Sequence, residues 1–130
     1  MFALDTNTLI HFFKGEGRVA QQLLATPPTD IAVPTVVLYE LYFGIAKSRS
    51  PERRTHQLNE MMELVTVLDF GAKVAKETAE IRATLEAAGT PIGPVDNLIA
   101  GTARANGAVL VTRNEREFSR VEGLRVVSWY

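Results

Sequence analysis

A chain of 130 residues is long enough to bury one sizeable core and short enough to be a single domain spanning 1–130. Its 46% hydrophobic and 22% charged residues match an ordinary globular composition, which argues against disorder and against a membrane protein, and the lack of cysteine excludes disulfides and thiolate metal sites. Fourteen basic against fifteen acidic residues leave a net charge of −1, so global charge calls for no polyanionic partner.

The chain opens on Phe2-Ala3-Leu4-Asp5, a short apolar run that reads as a buried strand ended by a carboxylate. A short helix is expected from Thr8 to Lys14, stopped by Gly15, and Val19, Ala20, Leu23 and Leu24 give a second helix its apolar face. Thr26-Pro27-Pro28-Thr29 breaks that helix before a buried strand at Ile31 to Val33. Pro34 suits the start of a third helix, which carries Glu40, and Gly44 and the group from Ser48 to Pro51 weaken and end it. Leu58, Met61, Met62 and Val65 mark one face of a fourth helix, and the alternating Val65 to Asp69 a strand. Val74, Thr78, Ile81, Leu85 and Ala88 define a long helix over Ala72 to Ala88, ended by Gly89. Pro94 is placed in the first turn of the helix carrying Asp96, on which Ala100, Gly101 and Ala103 allow another backbone to approach closely. Strands at Ala108 to Thr112 and Leu124 to Ser128 complete the chain. Strands separated by helices imply a parallel sheet with right-handed crossovers, so the expected class is α/β, a three-layer α/β/α sandwich.

Three segments share a signature. Asp5 is the only formal charge between Met1 and Phe13, Glu40 the only one from Ile31 to Ala46, and Asp96 the only one from Thr90 to Ala103. Each has a local reading: Asp5 as a helix cap, Glu40 as a snorkelling or arginine-paired side chain, Asp96 as a complement to a helix dipole. Carboxylates are rarely buried unpaired, however, and ligands of open parallel sheets bind at the carboxyl ends of the strands. Three acids converging there would repel one another, and a divalent cation is the natural compensation. With no cysteine and with His11 and His56 outside any metal motif, the oxygen donors favour Mg²⁺, or Mn²⁺ as a substitute, over Zn²⁺. Arginines and lysines cluster at Lys47, Arg49, Arg53 and Arg54 and again over Arg104 to Arg125, where they suit phosphate binding or, with glutamates interspersed, ordinary solvated faces.

Taken together, Leu4-Asp5-Thr6-Asn7, Tyr39-Glu40-Leu41-Tyr42-Phe43-Gly44, Ile92-Gly93-Pro94-Val95-Asp96-Asn97-Leu98-Ile99-Ala100 and Val111-Thr112-Arg113-Asn114-Glu115-Arg116-Glu117-Phe118 resemble the PIN domain, and more narrowly the VapC toxins of type II toxin–antitoxin pairs. The resemblance covers the chain in the right order. It implies a Mg²⁺-dependent endoribonuclease that cuts a structured cellular RNA such as tRNA or rRNA, is silenced by a VapB-type antitoxin and forms homodimers; a cytoplasmic location is expected by default, since no secretory signal is visible and there is no cysteine. Asp5 and Asp96 would then hold the ion, Glu40 would hold it through water or take the proton of the attacking water, and Thr6 and Asn7 would position a carboxylate or phosphate. Thr112 and Asn114, after the fourth strand, join them as positioning residues. Many PIN domains have a fourth acid where this chain has Asn114, which adds no charge, and Glu117 is the nearest replacement, ahead of Glu115.

Competing functions fit less well. A phosphatase using Asp5 as nucleophile generally has a second Asp two residues on, and Asn7 stands there; a receiver domain needs paired acids after its first strand. A catalytically silent interaction module would have no need of Asp5, Glu40 and Asp96 together, and no glycine-rich phosphate loop is present.

Overall fold

Five apolar runs pair into one parallel sheet in the computed structural model, which describes residues 1–15 and 17–130. The elements are β1 (Phe2–Leu4), α1 (Thr6–Phe13), α2 (Gly17–Leu24), a 3-10 turn (Pro28–Asp30), β2 (Ile31–Pro34), α3 (Thr35–Ala46) and α4 (Pro51–Met62). They continue with β3 (Thr66–Leu68), α5 (Ala72–Ala87), α6 (Pro94–Ala105), β4 (Val109–Val111), a short α7 (Glu115–Phe118) and β5 (Val126–Val127). The strand order is β3-β2-β1-β4-β5, with Ala3 opposite both Ala32 and Leu110. The chain thus builds outward from β1 in one direction and returns to build in the other. With right-handed crossovers, the two sets of connections put their helices on opposite faces, giving the expected three layers.

Ala3, Leu4, Val33, Leu110 and Val111 are fully buried in the sheet, where apolar side chains on both pleats match a sheet covered on both sides. Leu9, Val37, Leu58, Ile81 and Phe118 extend this core into the helices. Helix α6 lies close against α5: a Cβ added to Gly101 would sit 1.8 Å from Thr78 Oγ1 and 2.9 Å from Thr78 Cα. The small residues on α6 therefore do admit a neighbouring backbone, as their pattern implied.

Four details differ from the sequence reading. Helix α1 begins at Thr6, two residues early, because Asp5 itself is the cap. Pro34 is the last residue of β2, extended at φ −62° and ψ 144°, and caps α3 instead of occupying its first turn. Gly44 interrupts nothing, since α3 runs through it to Ala46, and the last strand is confined to Val126–Val127.

Candidate active site

The reversal of strand order places a topological switch point between β1 and β4, where the crossovers leaving the two strands diverge and open a crevice at their carboxyl ends. Asp5 follows β1 directly and Thr112 follows β4 directly. The Asp5 N–H continues the ladder to the Val111 carbonyl at 3.2 Å, and the Thr112 hydroxyl donates to Asp5 Oδ2 at 2.5 Å, so the two strand ends are tied across the switch point. The second oxygen, Oδ1, accepts the Thr8 N–H at 2.9 Å as a helix cap. Capping and site membership are therefore not alternatives for Asp5: one carboxylate does both. Its remaining lone pairs stay available to a ligand.

Glu40 arrives from the second turn of α3 and is held by the Thr6 hydroxyl, which donates to Oε1 at 2.5 Å. Thr6 is the first residue of α1, so the early start of that helix aims its side chain at Glu40. Asp96 occupies the first turn of α6, close above Gly93. Asp5, Thr6, Asn7, Glu40 and Asp96 line one cavity of about 240 Å³, completed by Gly93 to Val95 and Ile99. No lysine, arginine or histidine lines it among the described residues.

Glu117, from α7, reaches the same neighbourhood. Its Oε1 accepts the Gly93 N–H at 3.3 Å, and its Oε2 accepts the side-chain amide of Asn114. Asp96 is pushed up to about 7, first by its burial, next by the hydrogen bond and charge of Glu117, and then by the charges of Asp5 and Glu40. Burial works against ionisation of Glu117 too, but the Gly93 N–H, the Asp96 carboxyl, the Asn114 amide and Arg120 outweigh it and hold Glu117 below its ordinary value. The like charges at close quarters thus favour a proton on Asp96 when no cation is bound.

Whether this donor set suits a divalent ion is a matter of chemistry and spacing. Every candidate ligand is oxygen, as Mg²⁺ and Mn²⁺ demand. Among the described residues no three carboxylate or imidazole groups close into a ready cage. Mg²⁺ keeps several waters and is commonly held by one or two carboxylates, so it does not require such a cage.

Asn114 donates its backbone N–H to Thr112 Oγ1 at 3.0 Å, so Thr112 links Asp5 to Asn114 by donating to Asp5 and accepting from Asn114. His11, given no role on sequence grounds, lines a second cavity of about 440 Å³ on the other side of Asp5. Tyr130 and Arg113 line it too, and the sequence reading missed all three there. Three distant segments meet at this cavity, so only the strand order, with β5 beside β4, could have located them. His56 instead pairs with Glu60 on the exposed face of α4.

Residues 2–124 match the PIN domain. Over 128 residues, covering 98% of this chain and 97% of the relative, the sequence is 39% identical to the tRNA(fMet)-specific endonuclease VapC of Shigella flexneri. Among solved structures, the chain superposes with a TM-score of 0.90 on DNA-bound VapBC from Salmonella typhimurium, at 37% identity over 99% of this chain and 98% of that one. VapBC2 from Rickettsia felis, bound to a DNA fragment from its promoter, gives a TM-score of 0.90 at 33% identity with the same coverage. Strand ends, helix starts and full-length similarity agree: the chain belongs to the PIN-domain family and, within it, to the VapC ribonucleases.

Proposed function

We propose that this chain is a Mg²⁺-dependent endoribonuclease, the toxin of a VapBC-type pair, and that its substrate is a structured RNA of the tRNA class. The observation that carries the reading is the convergence of Asp5, Glu40 and Asp96 on one cavity with no basic lining residue among the described ones. Such a cavity is matched to a cation, and a hard cation beside carboxylates is matched to phosphate chemistry. The substrate class comes from the relatives named for tRNA(fMet) cleavage.

Asp5 and Asp96 would hold the ion, with Glu40 and Glu117 at its edge. When bound, Mg²⁺ supplies an acidified water and charge neutralisation at the phosphoryl oxygens. Glu40, fixed by Thr6, accepts the proton of the attacking water. That water's oxygen would bond to phosphorus as the P–O3′ bond breaks, and the departing O3′ would take a proton from solvent, leaving a 3′-hydroxyl and a 5′-phosphate. Thr112 and Thr8 hold the Asp5 carboxylate in one orientation, which suits a ligand better than a nucleophile and separates this reading from a phosphatase. Asn7 borders both cavities and is placed to touch the phosphate.

The antitoxin partner is supported by a groove of about 210 Å³ lined by Ile10, Phe13, Leu41, Ile45 and Leu58 that also reaches Glu40. A peptide seated there can extend a basic side chain into the acids. Exposed Tyr39 and Phe43 on α3 offer an apolar face suited to a second copy. No helix among the described residues is long and apolar enough to cross a membrane. The test is incubation of the purified protein with tRNA(fMet) transcript and Mg²⁺: discrete internal cuts support the proposal, and intact RNA under conditions where the antitoxin-bound form is also silent contradicts it.

A further inference from the structure

The two cavities beside Asp5 differ in charge. The acid-lined one holds carboxylates, whereas the 440 Å³ cavity is lined by Lys14, His11, Arg113 and Tyr130 along with Asn114. They share Asp5 and Asn7, so a strand whose phosphate sits at the acids continues directly into the basic cavity. Its volume falls within the range of about 300 to 1,000 Å³ typical of small-ligand sites. The wall is built rather than incidental: the rings of His11 and Tyr130 pack at 4.9 Å, and the Arg113 guanidinium lies 5.3 Å from the Tyr130 centroid. Tyr130 is partly buried in this wall, and burial together with the Asp5 charge pushes its hydroxyl above the ordinary tyrosine value.

We infer that this cavity is a nucleotide subsite, in which the His11–Tyr130–Arg113 wall stacks the base next to the scissile phosphate and Lys14 and Arg113 hold the adjoining phosphate. The inference rests on the nuclease reading above and adds to it a residue set that fixes where along the RNA the cut falls. Aromatic and guanidinium planes are the usual supports for splayed-out bases, and Arg with Lys the usual phosphate partners. Arg113 and Lys14 are exposed, so their replacement leaves the core intact.

The experiment compares wild type with Arg113→Gln, Lys14→Gln, Tyr130→Phe and Tyr130→Ala on a tRNA(fMet) transcript. Binding is followed by fluorescence anisotropy in EDTA across a salt series, and cleavage separately in Mg²⁺. Removing either cation is expected to shallow the salt dependence of binding by roughly 0.7 in log–log slope. Tyr130→Ala should weaken binding by roughly 5- to 150-fold, while Tyr130→Phe, which keeps the ring, should recover most of that loss. In Mg²⁺ the same losses should appear in KM more than in kcat. Wild-type slope and affinity in the Gln and Ala variants would overturn the subsite, whatever the wild type does to RNA. RNA that binds with these losses but is not cut in Mg²⁺ would support the subsite and overturn the nuclease reading alone.

Discussion

Replacing Asp96 with Asn removes one charge from the acid cluster at nearly constant shape, and the sign of the stability change separates a ligand from a structural acid. In the metal-free protein Asp96 is raised from 3.8 to about 7, so between these values the folded chain holds a proton that the unfolded chain releases. Stability from this group is therefore full below about 4 and is lost as pH rises through 7. The nominal size is about 4 kcal/mol at roughly 1.36 kcal/mol per tenfold change in acidity. Asp96 is only half-buried, and the lowered Glu117 works in the opposite direction, so solvent screening and this coupling leave about 1–2 kcal/mol. Against it stands the favourable contact of an ionised Asp96 with the α6 dipole, about 0.3–1 kcal/mol. The first effect is larger: in EDTA at pH 8, Asp96→Asn should melt higher than wild type by about 1 kcal/mol, a few degrees for a chain of this size. The difference should shrink as pH falls and vanish below about 4, where the carboxyl is neutral in both the folded and the unfolded chain. RNA cleavage in Mg²⁺ should fall by orders of magnitude. A variant that is less stable than wild type at pH 8 and still cuts RNA would show that Asp96 serves the helix and not the site.

Thr112→Val removes a fully buried hydroxyl that holds both Asp5 and the Asn114 N–H, so it should cost about 1–3 kcal/mol and lower cleavage at least tenfold; a denaturant titration beside a cleavage assay checks both. Gly101→Ala forces a methyl group onto Thr78 and should destabilise by about 1–3 kcal/mol, read from the urea midpoint, with cleavage of the folded fraction unchanged. In a complex with the antitoxin, an Arg or Lys of the partner should lie against Asp5, Glu40 or Asp96; a co-crystal structure with the acid cavity open to solvent would contradict this.

The lone carboxylates ending apolar runs at Asp5, Glu40 and Asp96 were visible in the sequence because each contrasts with its surroundings within a dozen residues. Their meeting was legible only through the crossover rule, which turns alternating strands and helices into one crevice. Glu117 was named for its nearness to Asn114, but its bond to Gly93 joins α7 to the start of α6, a long-range contact that no periodicity reports. Helix α1 starts at Thr6 because Asp5 caps it, and one carboxylate oxygen can serve that cap while the side chain still lines the acid cavity. Tyr130, His11 and Arg113 stayed invisible for a different reason: each is unremarkable locally, and only the pairing of β5 with β4 sets the carboxy-terminal ring against α1.

Asp5, Glu40 and Asp96 are proposed to cut RNA through a divalent ion. Mapping of 5′ ends on a tRNA(fMet) transcript, with the protein in Mg²⁺, in EDTA and in EDTA followed by excess Mg²⁺, tests it directly. For a metal-dependent reaction, discrete cuts bearing 5′-phosphate, their loss in EDTA and their return with the metal are expected, and none of these with Asp96→Asn. Cuts that persist undiminished in EDTA would contradict it.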